Sequence, residues 1–293
     1  MSGFVFVILG SILFPIIEAI KKRATQSIPV PIIFWAIATF TAPVYIGYLC
    51  WTGIPSLGPN FWLLIGINTP LLILSNLMLI KDEKIAPLST TLPLLSFTPV
   101  FLIFTSFFLL GELPNSYGVI GIFLVVLGAI LLKGEELRRG LFYRMRDIFT
   151  HRSSLYILAI AFMYSFSATF AKLAIQESNV WFFLGITVVT EAIFMNVWML
   201  SKRRKDIGKF FHNEHAKLLG TVALLAIAAD VFIFVGMETT LVSYVIAIKR
   251  AFLISGSILL GAAFFHERNI KYRIGGALIT IIGLLFILVF GSR

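Results

Sequence analysis

Apolar residues in this chain come in long runs separated by short polar stretches. Ten runs stand out, at roughly 3–20, 30–51, 61–80, 86–110, 115–132, 154–175, 180–200, 218–237, 240–264 and 271–290. About 20 apolar residues is the length an α-helix needs to cross roughly 30 Å of hydrocarbon. The pattern predicts an all-α integral membrane protein with ten transmembrane helices. Composition agrees: 59% of the 293 residues are hydrophobic and 13% charged, more apolar surface than a soluble globule can hide. The first run, from Gly3, has no basic stretch before it and no small-residue cleavage site after it. It reads as a retained helix rather than a signal peptide. The single cysteine, Cys50, leaves no internal disulfide to form.

The formal charge of +10 becomes informative once it is located. Of the 24 Lys and Arg, 20 lie in the loops after runs 1, 3, 5, 7 and 9, counting Lys271 and Arg273 at the very start of run 10. Arg293 alone falls in the termini or the other loops, and Lys172, Lys249 and Arg250 lie inside runs. Cytoplasmic loops collect Lys and Arg, so both termini are expected outside a cytoplasmic membrane, in a multi-pass topology. The basicity is then a topology signal and gives no reason to expect nucleic acid. Trp51, Trp62, Trp181 and Trp198 fall near run ends, where interfacial indoles belong. The central loop, "GEELRRGLFYRMRDIFTHRSS", repeats Leu141, Phe142, Met145, Ile148 and Phe149 at helical spacing among arginines. It fits a short helix on the inner membrane surface or simply a basic linker.

An internal repeat divides the chain. At a constant offset of 155, Phe97 meets Phe252, Glu112 meets Glu267, Gly121 meets Gly276 and Gly128 meets Gly283. At offset 150, Lys22 meets Lys172 and Gln26 meets Gln176. Each half holds five runs, so a duplicated half must enter the membrane upside down. The loop charges agree: "GELPNS" lacks Lys and Arg, whereas its counterpart "HERNIKYR" has three. Inverted repeats are a building plan of secondary transporters, with substrate near the midplane between the halves.

Five helices plus five, with "TPVFLIFTSFFLLGELPNSYGVIGIFLVVLGAILL" echoed by "FFHERNIKYRIGGALITIIGLLFIL", resemble the EamA-type members of the drug/metabolite transporter superfamily. The resemblance covers essentially the whole chain. It implies two inverted five-helix repeats, at 1–133 and 154–293, joined by a basic linker at 134–153. It places Glu112 and Glu267 where one helix turns into the next, with an expected structural role such as capping the following helix. Gly121, Gly128, Gly276 and Gly283 are expected at structural positions too. His266 stands where the first copy has Gly111. Ile254 stands where the first copy has Pro99, so helix 9 is expected to be straighter than helix 4.

Six ionisable residues fall inside runs: Glu18, Lys172, Glu191, Asp230, Lys249 and Arg250. Charges at mid-membrane are costly, so they normally face the interior and pair. At 1.5 Å per residue, Lys249 lies about 12 Å, Asp230 about 10 Å and Glu191 about 16 Å from the same side. Glu18 and Lys172 lie near run ends, where snorkelling to the interface is expected. Two readings of the central layer stay open. Asp230 and Glu191 neutralise Lys249 and Arg250 as buried struts, or at least one cation meets an anionic substrate group. Substrate-binding candidates are Lys249, Arg250, Ser243, Ser257 and Tyr164, the two serines standing seven residues either side of Arg250. Asp230 and Glu191 are candidates for charge pairing or for coupling to protons. The pair Lys249 and Arg250 also resembles the phosphate-holding pair of plastid sugar-phosphate translocators, distant relatives in that superfamily. Pro15, Pro70, Pro93 and Pro99 are expected to break helix hydrogen bonding inside spans.

Other classes fit less well. "FHNEHAK" offers His212, Glu214 and His215 in a basic loop without further ligands, so neither a metal nor a cofactor is expected and an embedded enzyme lacks its constellation. A pure assembly protein has no use for charges at mid-depth. A lipid or lipid-linked-sugar flippase of the same fold stays open as an alternative. The expectation is a secondary transporter of a small polar or anionic metabolite, such as an amino acid, organic acid or sugar phosphate. It would work by alternating access among membrane lipids, as a monomer or homodimer.

Overall fold

The computed structural model describes residues 2–85, 94–131, 152–202, 215–265 and 270–291. Among these residues there are ten helices and no strand: α1 Ser2–Thr25, α2 Val30–Thr52, α3 Phe61–Ile85, α4 Thr98–Leu110, α5 Ser116–Leu131, α6 Arg152–Gln176, α7 Val180–Lys202, α8 His215–Thr239, α9 Val242–Phe265 and α10 Ile270–Phe290. Six of them, α1 to α3 and α6 to α8, are long and apolar enough to cross a membrane. The expectations for Pro93, Glu267, His266, His212, Glu214 and residues 134–151 of the 134–153 linker lie outside the described residues.

Chemistry at the helix ends explains where several of them stop. Gly53 follows α2 with φ 71° and donates to the Leu49 carbonyl. Gly111 follows α4 in the left-handed region at φ 68°, donates to Phe107, and lets Glu112 N–H reach the Ser106 carbonyl at 3.2 Å. The chain is thereby turned sharply just where Glu112 stands. Pro99 does not break α4 from within. The helix begins at Thr98 after a turn at 96–97, and Pro99 occupies its first turn, where no N–H is required. In the second half α9 runs unbroken through Ile254.

Packing follows a two-fold plan. α1 lies against α8 and α9, and its counterpart α6 lies against α3 and α4. α2 packs on α7, α4 on α9, and α5 on α10. Each of the last three pairs a helix with its own counterpart, as the two inverted repeats require. The α5–α10 seam is the tightest. A Cβ added at Gly121 would stand 2.8 Å from the Gly283 carbonyl oxygen, and one at Gly128 would stand 2.6 Å from the Gly276 carbonyl. Glycines here let two backbones touch.

Two apolar clusters lie toward the two ends of the bundle. At the end carrying the neutral loops, Tyr45, Phe61, Ile175, Phe182 and Phe183 are all buried. At the basic end, Ile28, Ile33, Ile80, Met199 and Leu219 are buried together. Trp51 is 86% exposed, in keeping with a headgroup position at a helix end.

Candidate functional site

Between the end clusters lies a cavity of about 290 Å³. Helices α1 to α4 and α6 to α9 line it, whereas no described residue of α5 or α10 does. Lys249, Arg250, Asp230, Glu191 and Tyr164 all lie on its wall, together with Glu18 and Lys21. One turn of α9 presents both cations to the same space.

Their partners differ. Lys249 Nζ sits 3.6 Å from the centre of the Phe14 ring on α1. No described residue forms a direct ion pair with it, although Asp230 on α8 is close enough to act on it electrostatically. The Arg250 guanidinium carbon stands 5.7 Å from the centre of the Tyr164 ring, and the residue is 8% exposed. A cation over an aromatic face gains roughly 0.5–2 kcal/mol, more as water is excluded. Glu191 is buried and its Oε1 has no hydrogen-bond partner among the described residues. Tyr164 is held in turn by its hydroxyl, which donates to Asn76 Oδ1 at 2.7 Å.

Apart from Ser167, a pore candidate on helix 6, a second wall was not singled out from the sequence. Thr41 and Tyr45 on α2, Asn68 and Asn76 on α3, Ser167 on α6 and Thr187 on α7 also line the cavity. Ser167 donates to Asn68 Oδ1 at 2.7 Å. The spacing held a signal: Thr41 and Tyr45, and Thr187 and Glu191, are polar residues four apart within apolar runs, which puts each pair on one helix face.

Other expectations are corrected. Ser243 is buried and is not among the cavity-lining residues, because two helical turns from Arg250 carry it about 10 Å toward the neutral end. The side chain of Ser257 lies outside the described residues. Neither Glu18 nor Lys172 snorkels. Glu18 pairs with Lys21 at 2.8 Å on the cavity wall. Lys172, 5% exposed, forms an ion pair with Glu112 and donates to the Thr240 carbonyl at 2.7 Å. Glu112 does not cap the helix that follows it. Its Oε2 accepts the Val242 N–H at 3.1 Å, in the first turn of α9 in the opposite half.

The cap of α5 is Asn115, whose Oδ1 accepts the Gly118 N–H at 2.8 Å. Its Nδ2 also donates to the Phe290 carbonyl at 2.7 Å, and Tyr244 donates to its Oδ1 at 3.3 Å. Asn115→Ala removes all three contacts and should lower stability by about 1–2 kcal/mol. Thermal unfolding in detergent reads this, and an unchanged midpoint would show the cap to be dispensable.

The family profile described as "EamA-like transporter family" matches residues 1–133 and 151–289, nearly the whole chain. The chain belongs to the EamA-like transporter family. It is therefore a multi-pass membrane transporter of the drug/metabolite transporter type. No curated protein matches it. A solved crystal structure aligns over 100% of this chain and 98% of that chain, with a TM-score of 0.72 and 15% identity. At that identity the likeness speaks for the fold alone.

Proposed function

We propose that this EamA-like protein is a secondary carrier of a small polar metabolite bearing an anionic group, moved through the central cavity by alternating access. The observation that carries the reading is the pair Lys249 and Arg250, facing one cavity between the halves, each laid on an aromatic ring. A lysine serving only as a strut would be expected to meet a carboxylate directly. Here Lys249 is kept at mid-depth by Phe14 and by the field of Asp230, an arrangement that leaves its N–H donors available for a ligand. Glu191, Tyr45 and Thr187 would meet the hydrogen-bonding part of the same molecule. On the loop charges, both termini face outward from a cytoplasmic membrane. Protons are the candidate coupling ion, through Asp230 and Glu191.

The test is uptake by proteoliposomes of a mixed pool of amino acids, organic acids and sugar phosphates. Accumulation confined to compounds with an anionic group is the expected result. Uptake no faster than in empty liposomes for every compound, or of neutral compounds alone, would overturn the proposal. Repeating the assay with the proton gradient collapsed tests coupling, and an unchanged rate would remove Asp230 and Glu191 from that role.

A further inference from the structure

Lys172 and Glu112 join three segments drawn from both halves: the turn after α4, the last turns of α6 and the start of α9. Around them the neutral end is tied by further contacts between halves. Gly58 N–H donates to the Glu177 carbonyl at 2.8 Å, Asn60 reaches the Glu177 carboxylate, and Asn115 reaches Phe290. Such neutral or exposed hydrogen bonds exchange for water with small net cost. The ion pair is of another kind, because its side chains are only 6% and 15% exposed. Neither residue lines the cavity.

We infer that Lys172 and Glu112 are the latch that holds the neutral end of the cavity shut, acting as positioning residues for transport rather than as substrate ligands. Closing the end strips water from two charges and repays that cost by their attraction, so paired and hydrated states lie close in free energy. That balance is what a switch requires. Deleting one partner spoils only the closed state, where the other charge is left dry and unmatched. Opening then hydrates the survivor. Deleting both charges removes the penalty and lets the end close again. The inference rests on the alternating-access reading above, but its test needs no substrate.

The probe is a membrane-impermeant maleimide reacting with Ala168→Cys, a cavity-lining position one turn before Lys172 on α6, in a Cys50→Ser background. Glu112→Gln and Lys172→Met should each raise the labelling rate from the neutral-loop face on the order of tenfold. Each should lower the rate from the opposite face, measured in inverted vesicles. The double variant should label more like the parent than either single variant does. Unchanged rates from the neutral-loop face would overturn the latch. So would rates rising together from both faces, the mark of general loosening, or a double variant as fast as the singles. A rise at the near face with an unchanged rate at the far face would support the latch and overturn alternating access, which keeps the two readings separable.

Discussion

Gly283→Leu should yield little or no folded protein, while Gly66→Ala should be neutral or slightly stabilising. Both glycines sit inside helices, and composition alone would treat them alike. A Cβ at Gly283 would stand 2.7 Å from the Gly121 carbonyl oxygen and 2.8 Å from the Val125 nitrogen. Those are backbone atoms of α5, with no rotamer to relieve the clash, so the whole seam must open. Overpacking a fitted core costs about 1–3 kcal/mol. A backbone-on-backbone contact puts this site at or beyond the top of that range. Gly66 on α3 has nothing within 4 Å, and alanine there recovers up to roughly 1 kcal/mol of helix propensity. Recovery of monodisperse protein and its melting temperature decide the matter. Equal melting temperatures for the two variants would mean that the α5–α10 seam does not hold the bundle.

Arg250→Ala should lower uptake of the anionic substrate by about 10- to 100-fold at limiting concentration. A hydrogen bond to a charged group contributes about 1.5–3 kcal/mol, and each 1.4 kcal/mol is a factor of ten. Lys249→Ala should behave similarly, with loss of the Phe14 contact adding a smaller penalty in stability. Arg250→Lys discriminates further. It keeps the charge but loses the planar fork, so uptake between that of parent and alanine variant would mark a bidentate contact. The competing outcome is specific. If both alanine variants fold less stably yet transport normally per folded molecule, the cations are struts and the substrate is held by the polar wall of Tyr45, Asn68 and Thr187.

The helices were legible because a span must be apolar throughout, and such a run needs no knowledge of its neighbours. Counting 1.5 Å per residue from a run end put Lys249, Asp230 and Glu191 in one layer, and all three line the same cavity. Which way a side chain points within that layer was not legible. Ser243 shares the face of Arg250 on a straight helix, yet the cavity ends before reaching it. Lys172 shows a second limit. Its position near a run end suggests snorkelling, and only the tertiary fold brings the Glu112 turn and the Thr240 carbonyl to it. Glu112 misled for a related reason. The sequence offers a carboxylate just ahead of α5, but Asn115 is better placed to cap that helix, and the acid serves α9 instead.

The exchange of helices between halves also bears on how the chain is made. α1 ends at Thr25, but the surfaces it packs on, α8 and α9, begin at His215 and Val242. A ribosome feeding this chain into a membrane therefore delivers the first helix long before its neighbours exist. Until then α1, with Glu18 and Lys21 near its end, must rest against lipid or against whatever assists insertion. The final arrangement can close only after α9 has entered. Two separately expressed halves should accordingly be degraded when made alone and recovered together when made in the same cell.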